Sequence, residues 1–253
     1  MRLPTSVRGR VASALIAGAL VAGAVALPLR GKAVRVVRPV ENTAAAAAAV
    51  PARPVTTEPK RAAVARTLRV PAALTEAGLS LRAKPVAVPL QLRIPSIGVD
   101  ASVLGVGLTA GNVMDAPMGR ADDPVWQQAF WYRGSAVPGA ASTALLAGHI
   151  DGGGRLAVFA HIAELKKGDL IVVHDTRTDL DVRFAVTGAV AYTLAETTTP
   201  AVLTSMYGAG PVAGKPPQPS TDGLARLTLV TCAGTFVNGT HDHRLVVYAT
   251  RIQ

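Results

Sequence analysis

Cys232 is the only cysteine in the chain, and it closes an alternating run, "RLTLVTC", at residues 226–232. Arg244 opens the next such run, "RLVVYATRI", twelve residues later. A lone cysteine cannot form an internal disulfide, so it is a small buried apolar residue, a link between copies or a reactive thiol. If the two runs pair antiparallel, Cys232 and Arg244 lie at the same end of the sheet, on strands about 4.8 Å apart or one strand removed. A nearby cation favours thiolate over thiol. Arginine also suits an oxyanion, because it keeps its charge and presents several donors. On spacing alone a plainer reading stands beside this one, with Cys232 a packed hydrophobe and Arg244 a surface charge. Residues 233–243 read as a long loop between the strands, which leaves their register free.

A thiol nucleophile needs a proton carrier, and histidine is the usual one. There are five histidines. His161 falls in a stretch with helical spacing and His174 in a strand; both read as solvent-facing or satisfied core residues. His241 and His243 lie in the loop between the cysteine and the arginine and could reach the thiol. His149 follows Gly148 at the end of an apolar run, where a side chain can project into a cleft. His241, Asp242 and His243 suggest a metal site only weakly, because no second cysteine or matching ligand cluster accompanies them. No cofactor is expected.

These residues need a scaffold that brings distant segments together. From Pro85 the sequence reads as short strands cut by Pro and Gly: "VAVPLQLRIPSIGVDASVLGVGL", "STALLAGHID", "DLIVVHD", "DVRFAVTGAVAYTL" and the two runs above. "AVFAHIAELKKGD" carries apolar residues at 158, 159, 162 and 165, a helical spacing ended by Gly168. Residues 195–225 form a Pro/Gly-rich connection with a helical turn near 200–207. A connection of that length in a compact domain is functional or mobile, and its place before the cysteine strand predicts a wall of a substrate groove. Many short strands with few helices predict an all-β domain closed, or nearly closed, into a barrel.

The formal net charge of +10 is confined to one end. Residues 1–84 hold 14 Lys+Arg and 3 Asp+Glu, whereas residues 85–253 hold 12 and 13. A phosphate-binding footprint would lie on the folded part, so nucleic-acid binding is not expected. Residues 11–29 carry no charge between basic flanks. As a helix they would span roughly 28 Å, close to a hydrocarbon core of about 30 Å. Residues 1–29 therefore read as a cytoplasmic stub and an uncleaved membrane anchor, with a signal peptide cleaved after Ala24-Val25-Ala26 as the competing reading. Residues 30–84, with six consecutive alanines and scattered prolines, read as an extracellular linker, and 85–253 as the working domain.

"TALLAGHID", "TLVTCAG" and "RLVVYA", in that order, resemble the three signatures of the sortase family. The likeness extends over about 85–253, where "RIPSIGVDASV", "WYRGSAVPGAASTALLAGHID" and "FAHIAELKKGDLIVV" resemble the family's other segments. The Cys–Gly spacing and the aromatic "WY" are most similar to the actinobacterial class F, or class E, branches. The resemblance implies an eight-stranded β-barrel with short helices, in a single-pass membrane protein with its catalytic domain outside the cell. It implies a cysteine transpeptidase that cleaves a C-terminal sorting signal of the Leu-Pro-X-Thr-Gly type between Thr and Gly. The acyl group would then pass to an amine of a cell-wall precursor or a pilin. Residue by residue, the family's histidine falls on His149, its cysteine on Cys232 and its arginine on Arg244. The rival classes are an exported cysteine peptidase using water, an L,D-transpeptidase, whose Ser-x-Gly-Cys type motif is absent, and a non-catalytic β-barrel surface protein.

Overall fold

A computed structural model describes residues 80–152 and 154–252. Among these residues there are ten strands: β1 (Val86–Ile94), β2 (Val99–Val106), β3 (Ala129–Tyr132), β4 (Thr143–Gly148), β5 (Asp151–Gly152), β6 (Arg155–Leu156), β7 (Leu170–Asp175), β8 (Leu180–Thr193), β9 (Arg226–Val237) and β10 (Thr240–Arg251). Eight of them close into a barrel in the order β1-β2-β3-β4-β9-β10-β8-β7, and β5 and β6 form a separate small hairpin. The all-β, eight-stranded expectation therefore holds. The anchor and most of the linker expected for residues 1–84 lie outside the described residues. Among the described residues, no helix is long and apolar enough to cross a membrane.

The alternation read from the sequence fills the barrel. Leu227 and Leu229 of β9, Ala144 and Leu146 of β4, and Val247 and Ala249 of β10 join one buried core with Phe159 and Phe184. Each such Leu contributes about 1.5–3 kcal/mol by leaving water. β4 is buried on both sides, as a strand inside the sheet and beneath a covering helix must be, and its unbroken apolar run follows from that. It pairs parallel with β9, Thr143 opposite Arg226 through Ala147 opposite Val230. A parallel pair needs a long crossover, and all of 149–225 serves as that crossover.

Two local expectations are corrected. Residues 158–165 do not form an α-helix; they run through turns, and only Ile162–Glu164 is helical, as a short 3-10 segment. Phe159 and Ile162 point into the core, and Phe159 N–H donates to His149 O at 2.9 Å, so tertiary contacts override the helical spacing. The second correction concerns 233–243, which is not a loop. β9 and β10 continue to a two-residue turn at Asn238-Gly239, whose φ values of 52° and 83° are the pair a type I′ hairpin turn requires. The helical turn expected near 200–207 is α1 (Pro200–Tyr207), started by Pro200 in its first turn and ended at Gly208.

Candidate active site

The continuous hairpin fixes the register that the sequence leaves free. Arg244 of β10 is the direct partner of Cys232 of β9. On the other side of β9 the parallel pairing with β4 keeps one constant offset. Carried two residues beyond Ala147 and Val230, that offset sets His149 level with Cys232. Three residues from three chain segments thus converge at one level of adjoining strands, just past the end of β4 and partway along β9 and β10, and all three line one cleft of about 480 Å³. Apolar side chains dominate the rest of its lining, among them Met114, Leu203, Met206 and Val230. α1 and Thr197 and Thr198 before it, all within the 195–225 connection, form one wall of this cleft.

His149 is held from several directions. Gly148 before it lies so close to Val158 and Phe159 that a Cβ there would meet their side chains at 2.7 and 2.6 Å. Only glycine lets β4 pass and deliver the histidine. The ring packs against Trp126 at 4.8 Å and edge-on against Phe130 at 5.3 Å between centroids. Its Nε2 lies 2.8 Å from Pro117 O. A carbonyl only accepts, so Nε2–H donates, and Nδ1 is the nitrogen left for proton exchange. Inside the barrel, buried Thr231 donates its hydroxyl to Gly148 O at 2.8 Å. This bond ties β9 to β4 one residue before both His149 and Cys232.

Arg244 is anchored through one nitrogen. Nη1 donates to His243 O at 2.8 Å and to His241 O at 3.1 Å. Its remaining guanidinium donors make no hydrogen bond among the described residues, which leaves them for a ligand in the cleft. The two accepting carbonyls are presented by a β-bulge: His241 pairs with Phe236 but His243 with Ala233. The bulge is pinned by Asp242, whose Oδ1 accepts from Thr235 N–H at 2.8 Å and His243 Nδ1–H at 2.7 Å. The His243 bond, more than the backbone one, holds the Asp242 carboxyl below its usual range. Bulges of this kind re-aim side chains beside sites.

The other histidines lie elsewhere. His161 is bonded to Glu164 and His174 to Asp181. His243 is taken by Asp242. His241 is the exception: both ring nitrogens are buried without a hydrogen-bond partner among the described residues. Its Nε2 sits 3.7 Å from Asp151 Oδ1, and its ring meets Phe236 edge to face at 5.2 Å. Asp151 lies two residues after His149, so His241 connects the turn carrying His149 with the carbonyl that holds Arg244. Sequence reasoning missed Trp126, Phe130, Pro117 and Thr231. The "WY" pair that it singled out does other work, with Trp131 in the core and Tyr132 against Tyr207. Thr231 alone was discoverable, as a polar residue at an inward position of an alternating strand.

The sortase domain family matches residues 92–252, well over half of the chain. The chain belongs to the sortase family. Among solved structures it is similar to sortase A from Corynebacterium diphtheriae, at 19% identity and a TM-score of 0.45, over 68% of this chain and 63% of that one. It is similar also to sortase C-1 from Actinomyces oris, at 22% identity and 0.43, over 65% and 73%. Group B Streptococcus pilus island 1 sortase C2 follows at 21% and 0.42, over 65% and 73%. The chain thus spans less than two thirds of the length of the Corynebacterium relative. Comparison with curated proteins gives no significant match.

Proposed function

We propose that this sortase-family protein is a membrane-anchored cysteine transpeptidase acting outside the cell on a Leu-Pro-X-Thr-Gly type C-terminal sorting signal, with Cys232, His149 and Arg244 as its catalytic residues. The observation that carries the reading is the direct pairing of Arg244 with Cys232, with His149 level on the adjoining strand. In the reaction, the Cys232 thiolate attacks the carbonyl carbon between Thr and Gly. The tetrahedral oxyanion is met by the unpaired donors of Arg244. As it collapses, His149 gives the Nδ1 proton to the leaving glycine amine, while Pro117 O keeps the Nε2–H in place. A thioester remains on Cys232. An amine then attacks it, His149 takes back a proton, and the thiolate leaves as the new amide forms. Thioesters react readily with amines, which suits transfer to a cell-wall precursor or pilin. The apolar wall of the cleft suits the Leu and Pro of such a signal. The Cys–Gly spacing and the "WY" pair favour class F or E, and the uncharged 11–29 segment between basic flanks favours the anchor.

The test is to incubate the purified chain with a library of sorting-signal peptides, with and without an amine such as triglycine. A thioacyl adduct on Cys232 by intact mass, and an amine-dependent product, are expected. Release of acid only, at a rate indifferent to the amine, would instead identify a peptidase. Protease shaving of intact cells should remove the domain; a domain protected until the membrane is breached would refute the topology.

A further inference from the structure

The alternation that puts Cys232 in the cleft continues down the same face of the sheet. On β9 the side chains facing away from the barrel core are Arg226, Thr228, Val230 and Cys232, and on β10 they include Arg244, Val246, Tyr248 and Thr250. α1 crosses the middle of this face, where Val202 and Met206 pack with Leu145, Val230 and Val246. The face is thereby divided. One side of α1 is the cleft with Cys232; the other is a separate groove of about 470 Å³, within the usual range of ligand pockets. The β9 positions Thr228 and Cys232 are four residues apart, about 13 Å at roughly 3.3 Å per residue.

The lining of this second groove differs from that of the first. It is dominated by hydroxyl side chains and contains no carboxylate. Its one charged residue, Arg226, is paired with Asp222 through both guanidinium nitrogens, so no uncommitted charge faces a ligand. The floor is formed by Thr143 and Thr228, 6% and 1% exposed, with Thr250 beside them. None of these three hydroxyls makes a hydrogen bond among the described residues, although Ser205 and Tyr248 at the rim bond each other at 2.9 Å. The side chains of Thr143 and Thr228 are otherwise covered, so their hydroxyls are open to the groove alone, and a ligand with donors and acceptors of its own would bond them there. Each hydroxyl can both donate and accept, which matches another hydroxyl.

We propose that this groove binds a neutral carbohydrate, the sugar portion of the amine-bearing acceptor. The acceptor assignment rests on the transpeptidase reading; the carbohydrate assignment is tested without it. The full chain, carrying Cys232→Ala so that no chemistry intervenes, is titrated by calorimetry with chitotetraose, a neutral N-acetylglucosamine tetramer, and in parallel with a neutral extended tetrapeptide. Saturable binding of the sugar is expected. Thr228→Val and Thr143→Val, which keep shape and remove one hydroxyl each, should weaken it about 2- to 12-fold apiece. In the Cys232 parent, the same two variants should leave cleavage of a sorting-signal peptide in water unchanged and lower only transfer to a sugar-linked amine. No sugar binding, binding indifferent to both valine variants, or binding of the peptide alone would overturn the proposal, whether or not the chain forms a thioester.

Discussion

Thr231→Val tests how the barrel aims the site. The substitution keeps volume and β-branching and removes one hydroxyl. That hydroxyl is 2% exposed as part of its residue and bonds Gly148 O at 2.8 Å. Leaving a buried carbonyl without its donor costs about 2 kcal/mol, within the range of roughly 1–3. For a domain of this size the melting temperature should fall by about 4–8 °C. The same bond is the tie between β9 and β4 one residue before Cys232 and His149, so its loss should let the two slide. A displacement on the order of 1 Å can cost 10²-fold in rate, and we expect formation of the Cys232 thioester to slow by about 10- to 100-fold at 25 °C. Thr231→Ser retains the donor and should recover most of the rate. The assay is single-turnover acylation followed by mass, beside thermal unfolding of the same samples. A Val variant that melts earlier yet acylates at the wild-type rate would refute the positioning argument and leave only a structural bond.

Four further outcomes follow. His149→Ala should lower turnover by about 10²–10⁴-fold in fluorogenic peptide assays with the fold intact, whereas His161→Ala and His174→Ala should not; loss on changing His241 or His243 with His149→Ala near normal would move the proton carrier. Arg244→Ala should cost about 10²–10³-fold and Arg244→Lys substantially, since lysine keeps charge but not the fork, while alkylation of Cys232 persists in both; wild-type turnover in Arg244→Ala would refute the oxyanion role. Asp151→Asn and His241→Gln should each lower kcat more than they raise KM, and their combined effect should be less than additive; full additivity would mean that the two do not act as one link. The Asp242 carboxyl is depressed, so its contribution to the hairpin is complete above the ordinary aspartate range near ~4 and is lost as pH falls through the depressed value; amide exchange at Thr235 should quicken over that interval in the wild type and at all pH values in Asp242→Asn.

The sequence by itself determined the strands, because period-two alternation is a local property that the barrel core then uses on one face. It also carried the nucleophile, its arginine and the histidine as residues of the right kind. From their order alone it could not say that Cys232 and Arg244 are directly opposed. That register came from the Asn238-Gly239 turn and from the bulge pinned by Asp242, a pairing of side chain and backbone seven residues apart. The helical spacing at 158–165 misled, because Phe159 and Ile162 are claimed by a core assembled from other strands. Trp126, Phe130 and Pro117 reach His149 only through the barrel closure that sets β3 beside β4. The groove beyond α1 likewise exists only where a short helix crosses a sheet face. Such contacts depend on which segments closure brings within a few ångströms, and that is settled by the packing of the whole barrel.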